Sequence, residues 1–280
     1  MKGGVWGFFE GFYEQYLIPA FFMLLAPAVL QANPAGAILA LSSIMLGILG
    51  DITINRVYDS DDDALEEWKR KTNPISNGTI GKKMSFTLSV GIYIAGMLCA
   101  LLTKDAVFFA AMIARTFLGF TYSGPPVRAK AKPILDLAYH VTIIDAGPAF
   151  MAVVYTRNFT AFPLYLLGFA VINSLFTQTS QELRDFDIDR KAKLKTTVQM
   201  LGKNNSLRLQ RTLLTALCLY ALAAGASNHM PYLAAASAIA ILYLAGRMGQ
   251  GNIVVHRSRM KLVGMIAAGF IAQMAASWMT

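Results

Sequence analysis

Cysteine and charged residues are both scarce in this 280-residue chain, and each scarcity excludes a class of protein. The two cysteines, Cys99 and Cys218, lie far apart inside apolar segments, which predicts buried free thiols and excludes a disulfide framework or a zinc site. Charged residues make up only 15% of the chain. The net charge of +9 does not indicate nucleic-acid binding, because the basic residues occupy short loops between long apolar segments.

Apolar runs, by contrast, are numerous, and hydrophobic residues make up 55% of the chain. A helix needs about 20 mostly apolar residues to cross a bilayer. The segments of about that length are 16–33, 36–54, 84–102, 106–123, 136–155, 161–181, 210–226, 231–248 and 262–279. The sequence therefore predicts an all-α membrane protein with nine transmembrane helices, which form a single domain over residues 1–280.

The basic residues are concentrated on alternate loops. When the N-terminus and the loops after spans two, four, six and eight share one side, only Lys104, Arg115 and Arg157 lie elsewhere. Because short basic loops stay in the cytoplasm, this side is predicted to be cytoplasmic and the C-terminus to lie outside. The long charged loops are on the same side, so we expect the functional site there.

Acidic residues are few, but four polar residues form a row at the end of the second span. Asp51, Asn55, Asp59 and Asp63 are four residues apart, which places them on one face of a helix. The carboxylates of such a row repel one another unless a cation compensates their charge. An EF-hand calcium site is a poor fit, because the glycine and the terminal glutamate of that motif are missing. We call these residues the first acidic row, and they predict a divalent metal that carries a phosphorylated substrate.

A second row follows the sixth span. Gln178, Glu182, Asp185 and Asp189 descend one helical face and are followed by basic residues, among them Lys195. Magnesium takes one or two protein carboxylates and completes its shell with water and phosphate oxygens. This second acidic row therefore predicts, together with the first, a magnesium-diphosphate site.

The rows end corresponding spans and are each followed by a basic stretch, 69–71 in one case and 190–193 in the other. This pattern predicts two pseudo-repeated halves, about 1–130 and 131–280. Two such halves would oppose their acidic rows across a central cavity that opens to the cytoplasmic side.

Four stretches resemble motifs of the UbiA superfamily of intramembrane prenyltransferases. Residues 55–63 resemble its Asn-Asp-x2-Asp-x3-Asp motif, and residues 182–189 with 195–197 resemble its second Asp-x2-Asp-x3-Asp motif. Residues 71–78 resemble its Arg-Pro-Leu-x-Ser-Gly stretch, and residues 122–130 its Tyr-Ser-x-Pro-Pro segment. Chain length and the nine-helix plan fit as well, and the motifs are specific jointly.

The resemblance implies Mg²⁺-dependent transfer of a polyprenyl group from a prenyl diphosphate to a hydrophobic acceptor, which would be a lipid, a carotenoid or a quinone precursor. The carboxylates expected to bind the metal and act in catalysis are Asp59, Asp63, Asp185 and Asp189. The residues predicted to bind the substrate are Asn55, Arg56, Tyr122, Arg128, Lys130, Tyr139, Gln178, Glu182 and Lys195. Arg56 departs from the family, which usually has aspartate there, and it could itself bind phosphate.

Asp145 lies in the middle of the fifth predicted span, where a carboxylate is a functional candidate. It is predicted to stabilise a carbocation or take up a proton, and the alternative is a hydrogen bond between helices to Asn173 or Arg115. Tyr122 and Tyr139 offer aromatic faces for an allylic cation, with packing as the alternative role. His140 is a weaker acid–base candidate.

Three other functions stay open. A terpene cyclase would ionise the same diphosphate without an external acceptor, and an inactive prenyl-lipid binder would explain Arg56. A divalent-cation transporter would also need acids in the membrane. It is disfavoured because the acids cluster at one face near Arg128 and Lys130. Beyond the bilayer, no obligate protein partner is indicated.

Overall fold

The computed structural model describes residues 32–227, 230–245, 269 and 272. Every regular element in the segments 32–227 and 230–245 is helical. The main helices are α1 Pro34–Asp63, α2 Glu67–Thr72, α3 Lys82–Leu102, α4 Ala106–Ser123, α5 Leu135–Thr156, α6 Ala161–Arg184, α7 Phe186–Lys191, α8 Thr197–Leu201, α9 Lys203–Ser227 and α10 Pro231–Ala245. A 3₁₀ turn, Ala129–Ala131, lies between α4 and α5.

Five of these helices (α1, α3, α4, α5 and α9) are long and apolar enough to cross a membrane. Helices α6 and α10 coincide with two further predicted spans, 161–181 and 231–248. The predicted span 16–33 lies outside the described residues, and 262–279 is described only at positions 269 and 272. The described part therefore confirms an all-helical membrane architecture.

Several helices extend beyond the apolar segments that predicted them. Helix α1 continues from the predicted end at 54 to Asp63, and α9 begins at Lys203 rather than at 210. Hydropathy detects only the part of a helix that contacts lipid, whereas the backbone hydrogen bonds continue into water. The first acidic row is therefore on a helix rather than in a loop.

Helix α1 is central to the first half of the described bundle. It packs along α3 and α4, and α5 contacts α1, α4 and α6. Helix α9 packs against α6 and α10. The continuous apolar core includes Ile44 and Ile48 of α1, Phe108 of α4, Phe176 of α6 and Leu214 of α9. This arrangement places α5 beside both α1 and α6.

Large apolar side chains also cover the outside of the bundle. Leu98 and Leu102 of α3 and Phe117 of α4 are more than half exposed. In water such side chains would be costly, but in a bilayer they meet lipid. This exposure agrees with an integral membrane protein.

A buried ion pair joins α1 to α4. Arg115 Nη2 lies 2.5 Å from Asp51 Oδ2 and donates to the Ile143 carbonyl at 2.8 Å, while Tyr93 OH donates to Asp51 Oδ1 at 2.8 Å. The Ile143 carbonyl belongs to a π-helical turn of α5, Val141–Asp145. Such a turn shifts the hydrogen-bond register and frees carbonyls for other donors. Gly119 leaves room for the pair, because a Cβ there would overlap Asp51.

Candidate functional site

Both acidic rows face the same cavity, which has a volume of about 390 Å³. Helices α1, α5 and α6 supply most of its wall. Helices α2, α4 and α7, the α4–α5 connection and the segments after α2 and α7 supply the rest. The polar lining residues are Asp51, Asn55, Arg56, Asp59, Asp62, Asp63, Lys69, Thr72, Asn73, Tyr122, Lys130, His140, Gln178, Gln181, Glu182, Arg184, Asp185, Asp189 and Thr196. The apolar ones are Ile52, Ile143, Ile144, Ile188, Ala192 and Leu194.

The first row is held by short contacts to neighbouring segments. Asn55 Nδ2 donates to Ser123 Oγ at 3.0 Å, and Asp63 Oδ2 accepts from Asn73 Nδ2 at 2.9 Å. Asp59 forms an ion pair with Lys130. Because its residues are four apart on an unbroken helix, the row presents its side chains one turn after another into the cavity.

The deep part of the second row is a hydrogen-bonded chain. Gln178 Nε2 donates to Tyr122 OH at 3.1 Å and to Glu182 Oε1 at 2.9 Å. The backbone N–H of Val198 donates to Glu182 Oε2 at 3.2 Å. Both carboxylate oxygens of Glu182 are thus engaged, and Tyr122 is oriented towards the second row from α4.

The outer part of the second row carries charge partners. Lys69 Nζ lies 3.0 Å from Asp185 Oδ2, and Arg184 donates from Nε to Asp185 Oδ1 at 2.9 Å. Burial alone would raise the pKa of Asp185, but the hydrogen bond and charge of Arg184, with Lys69, hold it below its usual value. Burial first, and then the charge of Asp185, raises the pKa of Asp189 to about 6.

Lys130 reaches the cavity from the α4–α5 connection, where Arg128 adopts a left-handed φ of 45° ahead of the 3₁₀ turn. The Lys130 side chain is 9% exposed. Burial lowers its pKa to about 7 and the charge of Asp189 opposes this, while the contact with Asp59 favours the ammonium form. A lysine in this position brings positive charge close to both acidic rows.

The side chains present suit a divalent cation that arrives with a phosphorylated ligand. Asp59, Asp63, Asp185 and Asp189 line one cavity from two sides, and magnesium prefers carboxylate oxygens. Within the described residues, no three acidic, histidine or cysteine side chains already converge as a metal-binding group. These carboxylates therefore fit ions that take some ligands from the protein and the remaining ones from water and phosphate oxygens. They do not form a preassembled protein cage.

Ten of the predicted site residues line this cavity, and four do not. Arg128 borders a second pocket, which shares Asp62 with the cavity, and pairs with Asp62 at 3.0 Å. Tyr139 and the exposed Lys195 are absent from the cavity wall. Asp145 is also absent from the cavity wall. Its Oδ2 accepts a hydrogen bond from Asn173 Nδ2 at 3.3 Å, which is the alternative role of a hydrogen bond between helices.

Several cavity residues were not predicted from the sequence. Lys69 and Asn73 come from the α1–α3 connection, and Arg184 precedes Asp185 on α6. Lys69 lies within a basic stretch, but its partner Asp185 is 116 positions away. No local pattern could identify that pair. Arg115 was considered a partner of Asp145 and instead binds Asp51, which lies on the neighbouring helix α1.

The fold and the site together define the class of protein: a helical membrane bundle in which two acidic rows face one polar cavity. The chain belongs to the UbiA prenyltransferase family, whose family model matches residues 16–277. No curated protein matches the chain.

Solved structures share the fold at low sequence identity. A UbiA homologue from Archaeoglobus fulgidus bound to GPP and Mg²⁺ is 21% identical, with a TM-score of 0.64 over 94% of this chain and 98% of that one. A UbiA homologue from Archaeoglobus fulgidus bound to DMAPP and Mg²⁺ gives 20% identity and a TM-score of 0.58 over 93% of this chain and 99% of that one. A structure of digeranylgeranylglyceryl phosphate synthase gives 12% identity and a TM-score of 0.62 over 94% and 98%.

Proposed function

We propose that this protein is a Mg²⁺-dependent intramembrane prenyltransferase, which transfers a polyprenyl group from a prenyl diphosphate to a hydrophobic acceptor. One observation carries the proposal: both acidic rows line a single cavity, together with Lys69, Lys130 and Arg184. Opposed carboxylates with basic side chains between them suit a magnesium-diphosphate, because the carboxylates can bind the magnesium ions and the basic side chains can bind the negative diphosphate. The archaeal homologue with the same fold binds GPP or DMAPP with Mg²⁺.

The proposed membrane arrangement has nine helices around the central cavity, with the cavity mouth, the N-terminus and the charged loops in the cytoplasm and the C-terminus outside. The distribution of basic residues supports this orientation. The two pseudo-repeated halves, about 1–130 and 131–280, remain part of the proposal. This division is supported by the position of the two acidic rows, one in each proposed half, which line the same cavity.

In this proposal, four carboxylates hold the magnesium: Asp59, Asp63, Asp185 and Asp189. When bound, the metal supplies the positive charge that stabilises a departing diphosphate. Asn55 lies one turn below Asp59 and is oriented by Ser123, so its amide can contact the same ligand. Arg56 lines the cavity where the family usually has aspartate, and we assign it to a phosphate oxygen instead of a metal.

We assign two roles to Lys69 and Lys130, one without the donor bound and one with it. Lys130 and Lys69 neutralise Asp59 and Asp185 in the structure, and both line the cavity. When diphosphate brings its own charge, the same ammonium groups stabilise the leaving group. Arg128, which already pairs with Asp62, would contribute from the rim, and Lys195 is assigned to the surrounding positive field.

Below the outer carboxylates, the cavity wall includes Tyr122, Ile143 and Ile144 beside the paired Asp51. The bond between C1 of the prenyl chain and the diphosphate oxygen breaks with its electron pair on the oxygen, which leaves an allylic cation. The acceptor supplies the electron pair of the new bond and then loses a proton. Tyr122, held by Gln178, presents an aromatic ring where such a cation would form. Ile143 and Ile144 help to exclude water.

An inactive prenyl-lipid binder is the second candidate, favoured by Arg56 in the cavity wall. A cation channel is disfavoured, since Lys69 and Lys130 would repel a free cation at the same place. Terpene cyclisation would use the same ionisation step and differs only in what captures the cation.

Purified protein incubated with geranylgeranyl diphosphate, with and without Mg²⁺, tests the proposal. We expect diphosphate release that requires Mg²⁺, is lost in Asp185→Ala and is retained in Asp187→Ala, whose side chain is 76% exposed. Tight donor binding with no release in the presence of an acceptor panel would favour the inactive binder. Absence of Mg²⁺-dependent donor binding would refute the prenyltransferase.

A further inference from the structure

Asp136 is a fully buried carboxylate that belongs to neither acidic row. It lies in the first turn of α5, has 0% exposure and does not line the cavity. Its Oδ2 accepts a hydrogen bond from the backbone N–H of Thr197, and its Oδ1 accepts one from the Thr197 hydroxyl. The N–H of Leu137 also donates to Oδ1, at 2.8 Å. Because hydrogen bonds to a carboxylate are stronger than those between neutral groups, Asp136 binds Thr197 firmly to the start of α5.

Thr197 is held from a second direction by the residue that precedes α5. Its hydroxyl accepts a hydrogen bond from the Ile134 N–H at 2.6 Å. Ile134 has a left-handed φ of 71°, which a β-branched residue rarely adopts. Such a backbone conformation persists only where the surrounding contacts hold it. The start of α5 and Thr197 therefore fix each other.

Val198, the next residue along the chain, is bound in the same way by α6. Its N–H donates to Glu182 Oε2 at 3.2 Å. Two consecutive N–H groups are thus held by carboxyl groups of two different helices. Burial, and then the charge of Asp136, raises the pKa of Glu182, so only one of these neighbouring carboxyl groups needs to carry a charge. The amino-terminal end of α8 is docked against both α5 and α6.

The chain segment that ends at this docking point, residues 192–198, is part of the cavity wall. Three of its residues line the cavity: Ala192, Leu194 and Thr196. The N–H of Leu194 donates to the backbone carbonyl of Asp189 at 2.9 Å. Asp189 lies beyond the break between α6 and α7, so the regular geometry of α6 does not fix its position. The docking of Thr197 therefore holds one end of a segment whose other end is bonded to Asp189.

We infer that Asp136 and Thr197 form a latch that holds the segment 192–198 against the cavity and thereby positions Asp189 for Mg²⁺. The inference rests on the proposed prenyl transfer, in which Asp189 is a metal ligand. Both latch residues are positioning residues, because they act through the segment and neither of them lines the cavity. The latch makes the second acidic row depend on α5, a helix that carries neither row.

The first measurement follows the docked segment without any substrate. Four basic residues in the segment or directly before it are exposed: Arg190, Lys191, Lys193 and Lys195. Trypsin needs the chain to open locally before it cleaves, so the cleavage rate at these residues reports how often the latch opens. Relative to the full-length wild-type protein in detergent, Asp136→Asn and Thr197→Val should raise that rate by about tenfold or more. Thr197→Ser keeps the hydroxyl and should stay close to wild type.

Two matched controls separate the latch from a general loss of packing. Asp105→Asn makes the same change at the start of α4, where Asp105 Oδ1 accepts from the Phe108 N–H at 3.0 Å, at the end of that helix remote from the cavity. Thr179→Val changes a buried threonine whose hydroxyl donates to the Leu175 carbonyl of its own helix at 2.8 Å. Both controls should leave tryptic cleavage of the segment 192–198 close to wild type, whatever they do to Tm.

The second measurement is the affinity for Mn²⁺, followed by EPR with and without geranylgeranyl diphosphate. Groups that hold a metal ligand in place contribute about 10- to 100-fold to metal affinity. We expect Asp136→Asn and Thr197→Val to weaken Mn²⁺ binding within this range, and Thr197→Ser to restore it. In steady-state diphosphate release, the Mg²⁺ concentration that gives half of the maximal rate should rise by the same factor, while kcat at saturating Mg²⁺ falls less.

Three outcomes would overturn the inference. One is a tryptic cleavage rate that Asp136→Asn and Thr197→Val leave unchanged. Another is faster cleavage with unchanged Mn²⁺ affinity, which would show that the segment does not position Asp189. The last is an equal effect in the two controls, which would indicate a general loss of packing. Because Thr197→Val and Thr197→Ser leave Asp136 in place, their comparison decides the matter even where Asp136→Asn does not fold. Failure of wild type to release diphosphate would instead refute the proposed function and leave the cleavage result standing.

Discussion

The two acidic rows line one cavity but are built differently. The first lies on a single helix that runs from Pro34 to Asp63 without a break. The second is interrupted at Asp185, where α6 ends and α7 begins. An unbroken helix fixes the spacing of its carboxylates, whereas a break leaves the direction of Asp189 to tertiary contacts. The first row is therefore the rigid side of the site, and the second depends on its neighbours.

The deep ends of the rows differ as well. Asp51 is neutralised by the buried cation Arg115, while Glu182 is held by the neutral donors Gln178 and the Val198 N–H. Removing one member of a buried ion pair leaves an uncompensated charge and costs about 3 to 5 kcal/mol. The deep end of the first row thus contributes mainly to the fold, and the outer ends of both rows are available for ligands.

The largest expected effect compares two aspartates of the second row's segment. Asp185→Ala should lower Mg²⁺-dependent diphosphate release by about 100- to 1000-fold, because a ligand of the metal and the partner of Lys69 is lost. Asp187→Ala is the matched control, since Asp187 is exposed and lies 3.7 Å from Lys203. Steady-state release of diphosphate measures both. Equal loss of diphosphate release in the two variants would show that release depends on the negative charge of this surface and not on the position of Asp185 in the cavity.

The lysines test the rows against each other. Lys130→Gln should lower release by about 10- to 100-fold and Lys69→Gln by about tenfold, because Lys130 is the more buried of the two. Lys71→Gln is the control, since Lys71 forms only an exposed pair with Glu67. The kcat and KM for geranylgeranyl diphosphate separate leaving-group stabilisation from binding. A larger effect at Lys71 than at Lys69 would contradict the assignment.

Gly119→Ala tests the deep end of the first row. The added Cβ would overlap Asp51 Oδ1 and separate it from Arg115, which should destabilise the protein by about 3 kcal/mol. Gly91→Ala on α3 has nothing within 4 Å of its added Cβ and should be neutral or slightly stabilising, because alanine favours a helix more than glycine does. Thermal unfolding in detergent measures the difference. Equal Tm values would show that the ion pair can shift at no cost.

The smallest effect is a pH dependence of metal binding. Burial and the charge of Asp185 raise the pKa of Asp189 to about 6, so Asp189 carries a proton below that pH. A divalent ion must displace this proton, and its affinity should fall by up to about tenfold per pH unit below pH 6. Binding of Mn²⁺ without donor, followed by EPR, measures this. The fall should be shallower in Asp189→Asn, and identical slopes would assign it to another group.

Much of this molecule is readable from sequence. Apolar length predicted the seven long helices among the described residues but not the short helices α2, α7 and α8. The spacing of the first acidic row placed its four residues on one helical face. The same periodicity holds for Gln178 and Glu182 on α6, whereas Asp185 and Asp189 reach the cavity across the break between α6 and α7. Both signals are local, since a helix repeats every 3.6 residues whatever it packs against.

The partners of those residues were decided by the tertiary structure alone. Asp185 meets Lys69 across 116 positions, and Asp51 meets Arg115 across 64. Which face of α5 lines the cavity depends on its packing between α1 and α6, and that packing selects His140 over Asp145. Periodicity says which residues share a face, but only the contacts between helices determine where that face points, because side chains are paired by distance in space and not along the chain.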